Sequence, residues 1–177
     1  AGDILAQLTM PVDEDDTTGS IMARLAEAGA PFFVEALAGW VGGEITPRSQ
    51  DHSQATWIDR LEKKSGLLDW TLPAQHLARC CRAFSPWPGT FTEFEGKRLL
   101  VHRARALSDP KGTLAQGKPG TVIQTGSEFA VITGSGLLRL DQVQLEGRKP
   151  LDIWAFVRGQ RAFVGTILGR PEQQVRG

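Results

Sequence analysis

The sequence predicts an α+β chain in which a strand and a long helix precede a run of short strands curled into a small barrel. Three observations carry this. Apolar residues recur at helical spacing over residues 17–41 and again, briefly, over 73–84. From about residue 90 the apolar period falls to two, in strand-length segments divided by glycine turns. Between the two patterns, residues 44–57 are polar and without period.

Taken in order, residues 3–12 read as a strand, with Pro11 closing it. Asp13, Glu14, Asp15 and Asp16 make a turn. Thr17 or Thr18 then opens a helix whose apolar positions are Ile21, Leu25, Ala28, Phe32, Phe33, Ala36, Leu37 and Trp40. The acids ahead of it favour the positive end of the helix dipole. Pro31 is a point at which it kinks or restarts, and Gly42 and Gly43 end it. Residues 44–57 have the composition of a linker. After a short apolar run at 67–70, Pro73 suits the first turn of a helix reaching Phe84, with Leu77, Cys80, Cys81 and Phe84 as its stripe. Pro86 and Pro88 make 85–89 a rigid, non-helical turn. Strands at 91–94 and 98–107 flank Glu95 and Gly96, a hairpin signal. Further strands are expected at 121–124, 129–132 and 137–145, and a closing helix at 151–157. Five or six short strands with two short helices predict a small, partly open barrel of the oligonucleotide-binding type.

Composition narrows the function classes. The chain has 177 residues, 41% hydrophobic and 23% charged, which is globular and excludes a disordered polymer. No apolar run reaches the roughly 20 residues of a membrane span, and the first residues carry no secretory leader pattern. The only cysteines, Cys80 and Cys81, are adjacent, which excludes a disulfide framework and points to a reducing, cytoplasmic setting. The formal net charge of zero hides a split: residues 1–57 hold nine acidic and two basic side chains, so residues 58–177 hold 18 basic and 11 acidic ones. Such asymmetry suggests a polyanion partner for the basic part, and arginine, which suits bidentate phosphate contact, outnumbers lysine 14 to 6.

Catalytic and metal chemistry find no pattern. His52, His76 and His102 fall in three different elements with no second ligand at zinc spacing, and adjacent cysteines on a helix diverge by about 100°. No phosphate loop or dinucleotide fingerprint is present in the required strand-to-helix context. No nucleophile sits beside a base and its orienting acid. Cations pattern better. Arg60, Lys63 and Lys64 are spaced to share one face of a helix, Arg103 and Arg105 to share one face of a strand, and Arg148 and Lys149 lie in a turn. Together they predict a cationic groove for a phosphate backbone. The aromatics read as buried, so recognition of a folded RNA by shape and phosphate fits better than stacking on unpaired bases.

Arg82–Gly89 (RAFSPWPG), preceded by Leu68, Asp69 and Trp70 and followed by Gly120, Thr121 and Val122, resembles the C-terminal part of the methionyl-tRNA formyltransferase family. Further similar pieces are Gly2 to Leu5, Asp16 to Gly19, Leu25 to Glu27, Gln50 with Asp51, and Gln144 to Lys149, so the resemblance runs from residue 1 to about 168. Ser85 and Trp57 stand where the family usually has Asn and Tyr. The resemblance implies a Rossmann-like catalytic domain, a linker and a C-terminal oligonucleotide-binding-like barrel. Residues 1–45 then correspond to the last strand and helix of the catalytic domain, 46–64 to the linker and 65–177 to the barrel. It implies formyl transfer from 10-formyltetrahydrofolate to the amino group of initiator methionyl-tRNA, by an Asn, a His and an Asp of the N-terminal domain. By this alignment those residues precede Ala1, so this piece would hold no catalytic residue, no metal and no folate, and would be inactive alone. Its partners would be initiator methionyl-tRNA and the N-terminal catalytic domain, with no membrane and no second copy. Thr56 to Lys63 matches the family's linker motif, with Arg60 and Lys63 at its basic positions. Two readings compete: a C-terminal scaffold of another folate-dependent formyltransferase, and an interaction module whose basic face only confers solubility.

Overall fold

The structure, a computed structural model, describes residues 2–107 and 117–169; these fall into two compact units, Ala1–Arg60 and Leu61–Gly177. In the first, helix α1 spans Thr18–Val41. Thr17 caps it reciprocally: its side chain accepts from the Ser20 amide at 3.1 Å, and Ser20 Oγ accepts from the Thr17 amide at 2.9 Å. Asp16 takes the Ser20 hydroxyl at 2.8 Å and the Arg24 guanidinium at 2.9 Å, which ties the entry turn to the helix. The helix runs on through Pro31 and ends where Gly42 N–H donates to Ala38 and Gly43 turns left-handed at φ 73°. The strand expected at 3–12 does not form. Among the described residues its only pairing is a bridge between Ile4 and Arg48, and Leu5, Leu8 and Val12 stay exposed.

The second unit is built on six antiparallel strands: β1 (Thr90–Phe94), β2 (Lys97–Leu107), β3 (Val122–Thr125), β4 (Glu128–Ile132), β5 (Leu137–Leu145) and β6 (Leu151–Asp152). Their order is β1-β2-β5-β4-β3, with β6 added to β5. The expected hairpin is present: Phe94 pairs with Lys97 across Glu95 (φ 50°) and Gly96 (φ 73°), the two left-handed residues that a tight turn of the right twist needs. The closing helix at 151–157 needs correction, because residues 151 and 152 pair with β5 and the last helix, α3, begins just after them, as Ile153–Gly159. The barrel was expected to be partly open, and the sheet is not closed: β1 and β3 do not pair with each other. The edge of β3 is taken instead by residues 165–168, through Gly165 and Leu168 amides and the Val122 amide (2.8–2.9 Å), and Gly169 reaches β1 by one bond to the Glu93 carbonyl.

One face of the sheet carries the core. Helix α2 (Ala74–Ala83) lays Leu77, Ala78 and Cys81 on it, and α3 adds Ile153 and Phe156. Phe94, Phe156 and Phe163 meet edge to face with centroids 5.0–6.2 Å apart, and Phe163 is wholly buried. Burial of such side chains stabilises by roughly 1.5–3 kcal/mol each. Trp70 is buried beneath β1 and donates its indole N–H to Thr92 at 3.1 Å.

The middle of the sheet carries an irregularity that decides which side chains face out. On β2, Leu99 and Val101 are buried at odd positions, but Ala104 is buried at an even one. On β5, Leu138 and Leu140 are buried, then Val143. Between them the register runs Val101 with Val143, Arg103 with Gln142, Ala104 with Leu140. His102 is thus an extra residue on β2 and Asp141 an extra residue on β5, so both strands change parity together and the core face stays apolar across the break. Without the change, Arg103 and Arg105 would share the inward face with Val101.

Candidate nucleic-acid interface

The parity change turns Arg103 and Arg105 outward, opposite the core, with both side chains exposed. Arg139 faces Arg105 across the β2–β5 ladder. Asp141, the extra residue of β5, lies between them: its carboxylate accepts from Arg139 Nε at 2.8 Å and sits 3.7 Å from Arg105 Nε. Arg139 also donates to Glu128 at 2.7 Å. Burial works against the Arg139 charge, but the bonds to Asp141 and Glu128 outweigh it and hold its pKa above the ordinary arginine value. Two of the three arginines on this face are therefore spoken for, and Arg103 carries no ion pair among the described residues.

The turn at 146–150 is tied to the same face. His102 Nε2 donates to Gln144 Oε1 at 2.7 Å, and Gln144 Nε2 donates to the Arg148 carbonyl at 2.7 Å. The Arg148 amide closes the turn on Leu145 at 2.9 Å, and Gly147 supplies the left-handed residue. Arg148 and Lys149 project exposed from this fixed backbone. Toward the other edge, Arg98 stacks over the Phe91 ring at 4.1 Å.

Lys63 and Lys64 begin a 3-10 turn, Lys63–Gly66, seated on β1: Leu68 N–H donates to the Phe91 carbonyl, and Gly66 lies against Gly89. Lys64 pairs with Glu62 at 2.9 Å, both side chains exposed. Residues 55–62 form no helix, so the shared helical face expected for Arg60, Lys63 and Lys64 is absent. Arg60 ends the first unit, whereas Lys63, Lys64, Arg103, Arg105, Arg148 and Lys149 belong to the second. Reading the sequence missed the partners that modulate these cations: Asp141, Arg139, Glu128, His102 and Gln144. The two-residue spacing of Arg139 and Asp141 on a strand was the available signal for one of them.

No described cluster of three or more His, Cys, Asp or Glu side chains could hold a metal ion. The sequence contains no asparagine. His52 and His76 are exposed on a 3-10 turn and on α2, and His102 is engaged with Gln144. The asparagine of an Asn–His–Asp constellation is thus absent from this sequence. Among the described residues, no helix is long and apolar enough to cross a membrane.

Residues 60–161 match the family described as formyl transferase, C-terminal domain. Methionyl-tRNA formyltransferase of Roseiflexus sp. (strain RS-1) is 40% identical over 177 residues, covering 100% of this chain and 54% of that protein. The same enzyme of Heliobacterium modesticaldum is 38% identical, covering 95% and 55%, and that of Treponema pallidum (strain Nichols) 39% identical, covering 96% and 53%. The chain thus spans about half the length of the curated relatives it matches. Among solved structures, a multiply substituted variant of HypX from Aquifex aeolicus superposes with a TM-score of 0.64 at 22% identity, over 93% of this chain and 30% of that one. HypX of the same organism in complex with tetrahydrofolic acid superposes with 0.63 at 21%, over 93% and 28%. At that identity the likeness is one of fold alone.

Proposed function

Because this chain belongs to the formyl transferase family through its C-terminal domain, we propose that it is the part of a methionyl-tRNA formyltransferase that holds the tRNA. The whole enzyme transfers a formyl group from 10-formyltetrahydrofolate to the amino group of initiator methionyl-tRNA in the cytoplasm. The observation that carries the reading is the parity change at His102 and Asp141, which presents Arg103 outward, while the bonds from His102 through Gln144 fix the turn of Arg148 and Lys149. Cations on a rigid sheet grip a phosphate backbone with little ordering cost, and they read its shape rather than its sequence. Lys63 and Arg60 are further tRNA contacts in this reading. Residues 1–45 are the end of the catalytic domain and 46–64 the linker in this reading, and 65–177 are the RNA-holding domain.

The test is the affinity of the chain for initiator tRNA, by fluorescence anisotropy over a series of salt concentrations. Arg60, Lys63, Arg103, Arg148 and Lys149 carry no ion pair among the described residues. Engagement of most of them predicts a log–log slope of about −3 to −4. A flat slope, or no binding at low salt, overturns the proposal. The triple change Arg60→Ala, Lys63→Ala, Lys64→Ala should weaken binding; unchanged affinity would favour the solubility reading of these charges. Mixed with the formyl donor and methionyl-tRNA, the chain alone should give no formylated product.

A further inference from the structure

A second feature of the same domain adjoins the turn that carries Arg148 and Lys149. Between the 146–150 turn and α3 lies a cleft of about 260 Å³ whose walls include Leu145, Arg148, Lys149, Ala155, Phe156 and Gln160. Leu145, Ala155 and Phe156 give it apolar lining, Gln160 an amide, and Arg148 and Lys149 two positive charges. We propose that this cleft takes one unpaired nucleotide of the bound RNA, the base against Leu145, Ala155 and Phe156 and its phosphate against Arg148 and Lys149. The inference rests on the RNA-holding reading and adds a contact to it.

The cleft is built from fixed parts. Phe156 is buried in the aromatic group with Phe94 and Phe163, whose packing holds its ring in place. The 146–150 turn is held by the bonds from Gln144 and from the Arg148 amide already described. Glu146, the nearest acid in sequence, has its carboxylate turned to the Arg98 amide at 3.2 Å. At 260 Å³ the space falls below that of drug-sized pockets and suits one flat ring system. A base is apolar on its faces and carries donors and acceptors on its edge, which an amide such as Gln160 can match from either end. Its phosphate complements the positive charges of Arg148 and Lys149. The base would have to be unpaired, because a stacked and paired base cannot leave its helix without cost.

The probes are a labelled RNA hairpin carrying one unpaired nucleotide and the same hairpin fully paired, with binding read by anisotropy at one salt concentration. The expected result is tighter binding of the first by about tenfold, within the range for burying one base. Gly159, which also borders the cleft, is the site for a blocking change, because a Cβ there meets nothing within 4 Å and the backbone is unstrained. Gly159→Leu should remove the tenfold preference and leave the affinity for the paired hairpin and its salt slope unchanged. Arg148→Ala should weaken both hairpins. If Gly159→Leu lowers the melting temperature, NMR titration of the unaltered chain with AMP replaces it, with shifts expected at Leu145, Ala155, Phe156 and Gln160 that inorganic phosphate, acting at Arg148 and Lys149, does not produce; their absence overturns the cleft. Equal binding of the two hairpins, or a preference that survives Gly159→Leu, overturns the cleft while leaving the phosphate face standing. Failure to bind either hairpin overturns the RNA reading itself.

Discussion

Replacing Asp141 by Asn removes one negative charge from the middle of the proposed RNA face without removing a side chain of that size. The carboxylate lies 3.7 Å from Arg105 and 2.8 Å from Arg139, and its side chain is only 17% exposed, whereas that of Arg105 is 58% exposed. A phosphate docked on Arg105 would stand about 7 Å from Asp141, one hydrogen-bond length beyond the ion pair. With an effective dielectric of about 40, between water and a protein surface, the repulsion at that distance is about 1.2 kcal/mol, or about eightfold in affinity. Screening erodes this above a Debye length of about 10 Å at 0.1 M salt, so the assay belongs at low ionic strength. Arg139 keeps Glu128 at 2.7 Å and an amide oxygen at position 141, so the stability cost should stay within about 1 kcal/mol. Tighter tRNA binding by Asp141→Asn in an anisotropy titration, with weaker binding by Arg103→Ala, is the expected pair of outcomes. Unchanged or weaker binding by Asp141→Asn, beside a loss in Arg103→Ala, would refute the view that this carboxylate opposes phosphate.

Glycines give a contrast of sign. Gly66→Ala places a Cβ 1.9 Å from the Gly89 carbonyl oxygen, backbone against backbone, and should cost about 1–3 kcal/mol in chemical denaturation. Gly29→Ala, inside α1 with nothing within 4 Å, should stabilise that helix by about 0.5–1 kcal/mol. Burial pushes the Cys81 thiol up to about 11, against the pull of the Thr90 hydroxyl, so in a Cys80→Ser variant its reaction with Ellman's reagent at pH 8 should track unfolding rather than precede it. Asp16 is held below its ordinary pKa of 3.8 by the Asp13 amide first, then the Ser20 hydroxyl and Arg24. A depressed carboxyl stabilises above its unfolded value and loses that as pH falls through the folded one. The helical far-UV signal should therefore fall on acidification below the ordinary carboxylate range, and Asp16→Asn should flatten that part of the curve.

Much of the fold was legible in the residues. Thr17 announces α1, Glu95 with Gly96 announces the hairpin, and residues 137–145 form the strand their pattern predicts. What was not legible has one cause: periodicity says which face of a segment is apolar, not what pairs with it. Residues 3–12 alternate like a strand but, among the described residues, have a partner only at Arg48. The closure of a barrel depends on whether β3 meets β1, and residues 165–169 take that place without forming a strand. The outward turn of Arg103 follows from one extra residue in each of two strands far apart in the chain, His102 and Asp141, which no local window joins. The engagement of Arg105 by Asp141 is invisible for the same reason.

The paired extra residues make the lengths of β2 and β5 interdependent. Deleting His102 and Asp141 together would leave a regular ladder with Arg103 and Arg105 still facing outward, whereas deleting either alone would leave one strand a residue longer than the other between the pairs Val101 with Val143 and Ala104 with Leu140. Insertions and deletions in this domain should therefore come in matched pairs on these two strands, and a homologue that has lost one of the two positions should have lost both.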